Sequence, residues 1–366
     1  MTTSLRRLVV AVAALAAAVA APAAMAAGDQ AVGGVYALTN SPAGNSVIAF
    51  DRSADGSLSS AGSYSTGGLG DGAGLGSQGA VIVSDSGRLL FAVNPGSNSI
   101  SAFAIDAGGL KLVDTAWSGG VRPTSITQHN NLVYVLNAGS PNSISGFSVD
   151  GGGDLEPLAG STRPLSGTQT APAQVEFTPS GDALVVTERA TNTITTYAVG
   201  DDGFASQPSS YPSIGVTPFG FAFGHRGHLV VSDAGGQSGA SSYSVDGTGF
   251  VTTIMGLAPT GQRAACWAVV TGNGRFAYVT NAATGNISGF AVGQDGTLSL
   301  LVPGGVSATT GGNPTDAALS RNSRYLYVRN GNQNAINAFA IAADGSLAAL
   351  PGIAGLPAGA AGLAAR

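Results

Sequence analysis

One two-part pattern recurs seven times along this 366-residue chain, and no other feature limits its fold so strongly. The first part is a β-branched or aromatic run that stops at a short polar or acidic residue. Its copies are VYALTN, LFAVN, LVYVLN, LVVTE, LVVSD, AYVTN and LYVRN, ending at Asn40, Asn94, Asn137, Glu188, Asp233, Asn281 and Asn330. The second part alternates around an aromatic, at Phe50, Phe103, Phe147, Tyr197, Tyr243, Phe290 and Phe339. A glycine-containing turn follows, closed by a hydrophobe from Leu58 in the first copy to Leu347 in the last. Successive copies lie 43 to 54 residues apart.

Short runs of Val, Ile, Tyr and Phe with two-residue alternation are strands. Several strands in a unit of about 40–50 residues mark a β-propeller. A further strand candidate precedes the first part of six copies: GAVIVS, PTSITQ, AQVEFT, FGFAFG, CWAVVT and TDAALS. Each unit therefore reads as four strands, A to D, and the aromatic column on strand C is expected to pack between blades. Copy one lacks a strand A. The segment PAGAAGLAAR at the far end of the chain resembles GNPTDAALSR, so Ala360 to Ala365 is expected to supply it. The expected fold is all-β: a seven-bladed β-propeller of four-stranded blades, its ring closed by a C-terminal strand that completes blade one. Such closure leaves no open sheet edge. The glycines serve turns that need positive φ, as in SADGSL and GQDGTL.

Residues 1–26 read as a secretory signal peptide. Arg6 and Arg7 form a positive region, Leu8 to Ala21 an apolar one, and Ala24-Met25-Ala26 a small-x-small cleavage site. The propeller domain then spans 27–366, and the mature protein is expected to be secreted, periplasmic or held in the cell envelope, with no membrane insertion after cleavage. Net charge is −5 overall and becomes −7 once Arg6 and Arg7 leave with the leader. Lys111 is the only lysine. Without a basic run, nucleic acid is excluded as a partner. A single cysteine, Cys266, allows no internal disulfide. Low charge and a closed ring fit a monomer.

In a propeller the B–C and D–A connections share one face and the A–B and C–D turns the other. His129, His225 and His228 all fall in A–B turns, away from the usual active face, so no metal site is expected. Cys266 sits within strand A of blade six as a buried small hydrophobe with no histidine to activate it. The glycine-rich stretch TGGLGDGAGLGSQGA (66–80) opens no helix, so it reads as a long rim loop rather than a dinucleotide cradle, and no cofactor is expected. The candidate face carries Glu188 and Arg189 at the end of strand B of blade four, with Asn137, Asp233, Asn281 and Asn330 in matching places. Arg122 and Arg263 lie in or beside D–A connections, and Arg329 precedes Asn330. A carboxylate ringed by guanidiniums suits an anionic or polyhydroxylated ligand.

The phrases TPSGDALVVTERATNTITTYAV, TGNGRFAYVTNAATGNISGFAVGQDGTL and SRNSRYLYVRNGNQNAINAFAIAADGSL resemble the lactonase family of seven-bladed propellers, which includes 6-phosphogluconolactonase-like and carboxymuconate-cyclising enzymes. The resemblance covers essentially the whole of 27–366. It implies opening or closing of a lactone ring by a general base, with cationic donors to hold a carboxylate or phosphate. Ala171, Ala173 and Gly220 stand where the family carries histidines, so the expected base falls to Glu188, with Arg189, Arg122 or Arg263 as anion donors. Two readings stay open beside this hydrolase: a non-catalytic propeller binding a sugar, peptide or cell-envelope partner, and an exported scaffold.

Overall fold

All seven copies become sheets, because each B and C run has its hydrophobic closer one tight turn away. The computed structural model describes Met1 and residues 31–366; apart from Met1, the expected leader lies outside the described residues. Blade two shows the plan: strand A is Val81–Val83, B is Leu89–Asn94, C is Ser99–Asp106 and D is Gly109–Trp117, antiparallel in that order. Blades three and six split the outer position into two short segments. Strand Ala361–Ala365 pairs with Gly33–Leu38, Val35 opposite Ala365 and Leu38 opposite Ala361, so the end of the chain completes blade one. The backbone amide of Arg366 donates to Gly34 O at 2.9 Å, and Arg52 Nε donates to Arg366 O at 3.2 Å.

Burial falls from the middle of each blade outwards. The aromatic column on strand C is buried throughout, from Phe50 to Phe339. Strands B do not alternate as sequence periodicity suggests: all six residues of Leu89–Asn94 and of Ala183–Glu188 are buried. Each inner strand is sandwiched between two neighbouring blades, so both its faces are interior. Outer strands are mostly half-buried to exposed, and Leu58–Ser65 has no buried residue.

The stretch 66–80 is where the structure corrects the sequence reading. Instead of staying on the rim it dives into the channel, burying Leu75, Ser77 and Gln78. The Gln78 amide nitrogen donates to Ala173 O in blade four at 3.0 Å. Its side chain crosses the lumen, giving Nε2 to Ala268 O (2.8 Å) and Phe221 O (3.3 Å) and accepting from Ala268 N (3.1 Å). Trp267 Nε1 donates to Ser77 O at 2.9 Å. Blades two, four, five and six are thus tied together through one glutamine. Gly220 makes room for it, since a Cβ there would lie 2.1 Å from Gln78 Oε1. Replacing Gln78 by Ala strands the amide and carbonyl of Ala268, at ~1–3 kcal/mol for an unmet buried group. The expected result is a lower denaturant midpoint with an unchanged slope; an unchanged midpoint would show that the plug is not a structural tie.

Candidate ligand site at the channel mouth

Six of the seven polar residues that end strands B share one task; Asn40 instead donates to Asp71 and Ala73. Asn94 Nδ2 donates to Ser101 Oγ (2.8 Å), Asn281 Nδ2 to Ser288 Oγ (2.8 Å), and Asp233 Oδ2 accepts from Ser241 Oγ (2.7 Å). Asn137 reaches Ser145 Oγ at 3.4 Å, and Asn330 reaches Asn337 Oδ1 at 3.2 Å. Each side chain pegs the end of strand B to a residue seven or eight positions later on strand C. The D–A connection passes so close above that glycine is required: a Cβ on Gly215 would lie 1.9 Å from Asp233 Cγ, and one on Gly120 2.6 Å from Asn137 Cγ. All four of the expected ligand-binding residues of this set, Asn137, Asp233, Asn281 and Asn330, are fully buried beneath the mouth. Burial also pushes the Asp233 carboxyl up to about 7, with Ser241 and Ser213 drawing it back.

Glu188 is the peg of blade four, and its longer side chain reaches the D–A connection itself. Oε1 accepts from Ser166 N (3.1 Å) and Thr195 Oγ1 (2.6 Å). Oε2 accepts from Thr191 Oγ1 (2.9 Å) and from the Ser166 hydroxyl. A carboxylate offers about four acceptor sites, and here four donors fill them. The side chain is fully buried.

Two of the expected cations, Arg189 and Arg122, lie near enough for their charges to act on each other. Arg189 Nε donates to Ala171 O at 2.9 Å, and its guanidinium lies 5.0 Å from the centre of the Phe219 ring. It packs against Gly76 of the plug. Burial lowers its pKa from the usual guanidinium value and the charge of Arg122 adds to this, while Cys266 acts in the opposite direction. Arg122, at φ +55° just before strand A of blade three, pairs through Nε with Asp71 Oδ2 at 2.9 Å. Asp71 is held in turn by Asn40 Nδ2 at 2.9 Å. Arg263 is exposed on the rim and bonds through its backbone to Ala283. Cys266 is buried, its thiol pushed up to about 12 by burial, which leaves it inert. Among the described residues, no cluster of three or more His, Cys, Asp or Glu could hold a metal ion.

Sequence reasoning missed a second feature of the mouth. A pocket of about 220 Å³ lies between Gly74–Ser77 of the plug and blade seven, walled by Leu75, Trp267, Thr315 and Arg329. Two polar atoms of this wall, Thr315 Oγ1 and Arg329 Nε, lack partners, and so does Oδ2 of the adjoining Asp316. Asp316 is only 1% exposed, and burial pushes its carboxyl up to about 7 against the pull of Arg329. Burial lowers the pKa of Arg329 from its usual value, while Asp316 pulls it back. The ion pairs within 4.0 Å among the described residues are Arg122–Asp71 and His129–Asp85, so Asp316 and Arg329 sense each other without touching. The signal was in the repeat: the residue before the peg is Thr39, Val93, Leu136, Thr187, Ser232 and Thr280 in six copies, and charged only as Arg329.

On the opposite face the lumen opens as a chamber of about 560 Å³ that includes His129, Gln174 and Glu176. Gln174 Nε2 donates to Glu176 Oε2 at 2.8 Å, and burial pushes the Glu176 carboxyl up to about 8.

Fold and mouth together define a seven-bladed propeller with a plugged channel and a partly cationic upper face. The chain belongs to the lactonase family: the family model "Lactonase, 7-bladed beta-propeller" matches residues 36–163, 141–255 and 236–354. Among solved structures, it is similar to a putative 6-phosphogluconolactonase from Bacteroides uniformis (18% identity, TM-score 0.72, covering 90% of this chain and 98% of that one). It is also similar to a protein from Lactobacillus plantarum (19%, TM-score 0.73, 91% and 99%). A third is the periplasmic gluconolactonase of Pseudomonas aeruginosa (18%, TM-score 0.65, 88% and 98%). At these identities the likeness concerns fold. No curated protein matches the sequence.

Proposed function

We propose that this chain is an exported, non-catalytic member of the lactonase family that binds a small sugar-acid-like or lactone-like ligand at the channel mouth. One observation carries this reading: Glu188, the carboxylate left at the expected site of the base, has all its acceptor sites filled by Ser166, Thr191 and Thr195. A general base must reach the proton that it takes. Arg189, in no ion pair among the described residues, keeps positive charge beside the lumen, while Asp71 offsets Arg122; this favours an anion or a polarised carbonyl without supplying proton transfer. Export is supported by the charged, apolar and small-residue regions of 1–26, and the Pseudomonas relative is described as periplasmic. The ligand class follows from the names of the Bacteroides and Pseudomonas structures together with the cations at this mouth.

The test is a lactone panel with Glu188→Gln as control. Wild type is expected to hydrolyse no lactone faster than buffer, while gluconate or gluconolactone binds in calorimetry. Lactone turnover that Glu188→Gln removes in a folded protein would reverse the reading and make Glu188 catalytic. Glu188→Ala is expected to cost about 2–4 kcal/mol, because it leaves the Ser166 amide and three hydroxyls without their acceptor. A near-neutral Glu188→Ala would show that the carboxylate is not a structural peg.

A further inference from the structure

We propose that the blade-seven pocket is a subsite for a small monocarboxylate, held by the Arg329 guanidinium and the Thr315 hydroxyl, with Leu75 and Trp267 against its apolar body. This rests on the binding reading above and deepens it by naming the subsite and the chemical class.

The argument begins with the unmet polar atoms. A buried donor or acceptor without a partner costs about 1–3 kcal/mol, and native proteins hold few of them. Here Thr315 Oγ1 and Arg329 Nε stand unpartnered in one pocket wall, with Asp316 Oδ2 unpartnered beside them. A guanidinium edge offers parallel N–H donors that match the two oxygens of a carboxylate, and a hydroxyl can give a third bond. Volume limits the ligand. About 220 Å³ corresponds to roughly seven waters at ~30 Å³ each, the size of an acid of about two to four carbons. A Cβ on Gly74 would meet no atom within 4 Å, so the pocket opens to solvent on that side. A dianion such as phosphate is disfavoured, since one arginine faces it and Asp316 stands close by.

Asp316 makes the subsite sensitive to pH. As a neutral acid it leaves the charge of Arg329 to the ligand; as an anion it offsets Arg329 and repels the ligand. The packed neighbours leave this coupling isolated. Arg329 is the one charge that acts on Asp316; the inner strand of blade one presents the Leu363 backbone, that of blade six carries Cys266, and Gly74–Ser77 carries no charge. Affinity therefore falls as pH rises through the titration of Asp316.

The experiment is calorimetric titration of the full chain with acetate, lactate, gluconate and phosphate at pH 5.5 and 8. Lactate is expected to bind at least about tenfold more tightly at the lower pH. Arg329→Thr should weaken lactate at least about tenfold and leave the fold intact, because threonine fills the matching position at Thr39, Thr187 and Thr280. Asp316→Asn should bind lactate equally at both pH values. Lactate binding that survives Arg329→Thr, or gluconate binding with no response to acetate or lactate, overturns the subsite and leaves the mouth reading standing. Silence to every probe overturns both.

Discussion

A chain shortened by Ala360–Arg366 will fail to close its ring, and its cooperative thermal transition will fall by more than about 10 °C or vanish. The deletion removes the ladder between Ala361–Ala365 and Gly33–Leu38, together with the bonds from Arg366 N to Gly34 O and from Arg52 Nε to Arg366 O. It also uncovers the core that Ala361, Leu363 and Ala364 now bury. Several ladder bonds at about 1 kcal/mol each, with the apolar area of a whole strand at about 25 cal/mol per Å², come to the order of 5–10 kcal/mol. Domains have about 5–15 kcal/mol in all. Blade one would moreover present the bare edge of Gly33–Leu38 to other chains, so aggregation should accompany the loss. Calorimetry with light scattering measures both; a truncated chain with the melting temperature of the parent would show that the closing strand is dispensable.

Stability should peak near pH 4 and fall by a few kcal/mol by pH 8.5. Burial raises the Asp233 and Asp316 carboxyls from 3.8 to about 7, and that of Glu176 from 4.5 to about 8. A carboxyl with a raised native pKa favours the fold fully only below its unfolded pKa. That contribution is lost as pH climbs from about 4 through the native value, because the unfolded chain releases its proton first. A tenfold difference in proton affinity between folded and unfolded chain is worth about 1.4 kcal/mol, and contact of Glu176 with the open lower chamber reduces its share. Asp55, Asp150, Asp246, Asp295 and Asp344 work in the opposite sense: hydrogen bonds to Ser, Thr and backbone donors lower their pKa values, so they weaken the fold only below about pH 4. Asp233→Asn should flatten the alkaline limb and stabilise the protein at pH 8, since Asn is the peg at Asn137, Asn281 and Asn330. Denaturant titrations from pH 4.5 to 9 decide it, and stability that rises between pH 5 and 8 would refute the account.

The legibility of the chain divides along physical lines. Blade number, strand order and the closing strand were readable because each depends on local pattern: alternation, a turn glycine and a closing hydrophobe repeat on the same schedule. The buried aromatics from Phe50 to Phe339 followed from that schedule. The pegs fall at the ends of their strands as the repeat requires, but the sequence could not show how completely Ser, Thr and backbone donors enclose them. Glu188 looked like a base because its type and position suit one, and its four donors come from Ser166, Thr191 and Thr195, up to 22 residues away. Only packing brings them together.

The sequence by itself determined a seven-bladed ring, its seam and its two faces, because these are sums of short-range preferences repeated seven times. The tertiary structure alone decided what occupies the lumen. Gln78 bonds to Ala268, 190 residues further along, and the pocket beside Arg329 exists because Leu75 of the plug and Trp267 of blade six converge there. No local rule encodes a contact across the axis of a ring. It arises where seven inner strands meet and leave a space that one side chain can fill.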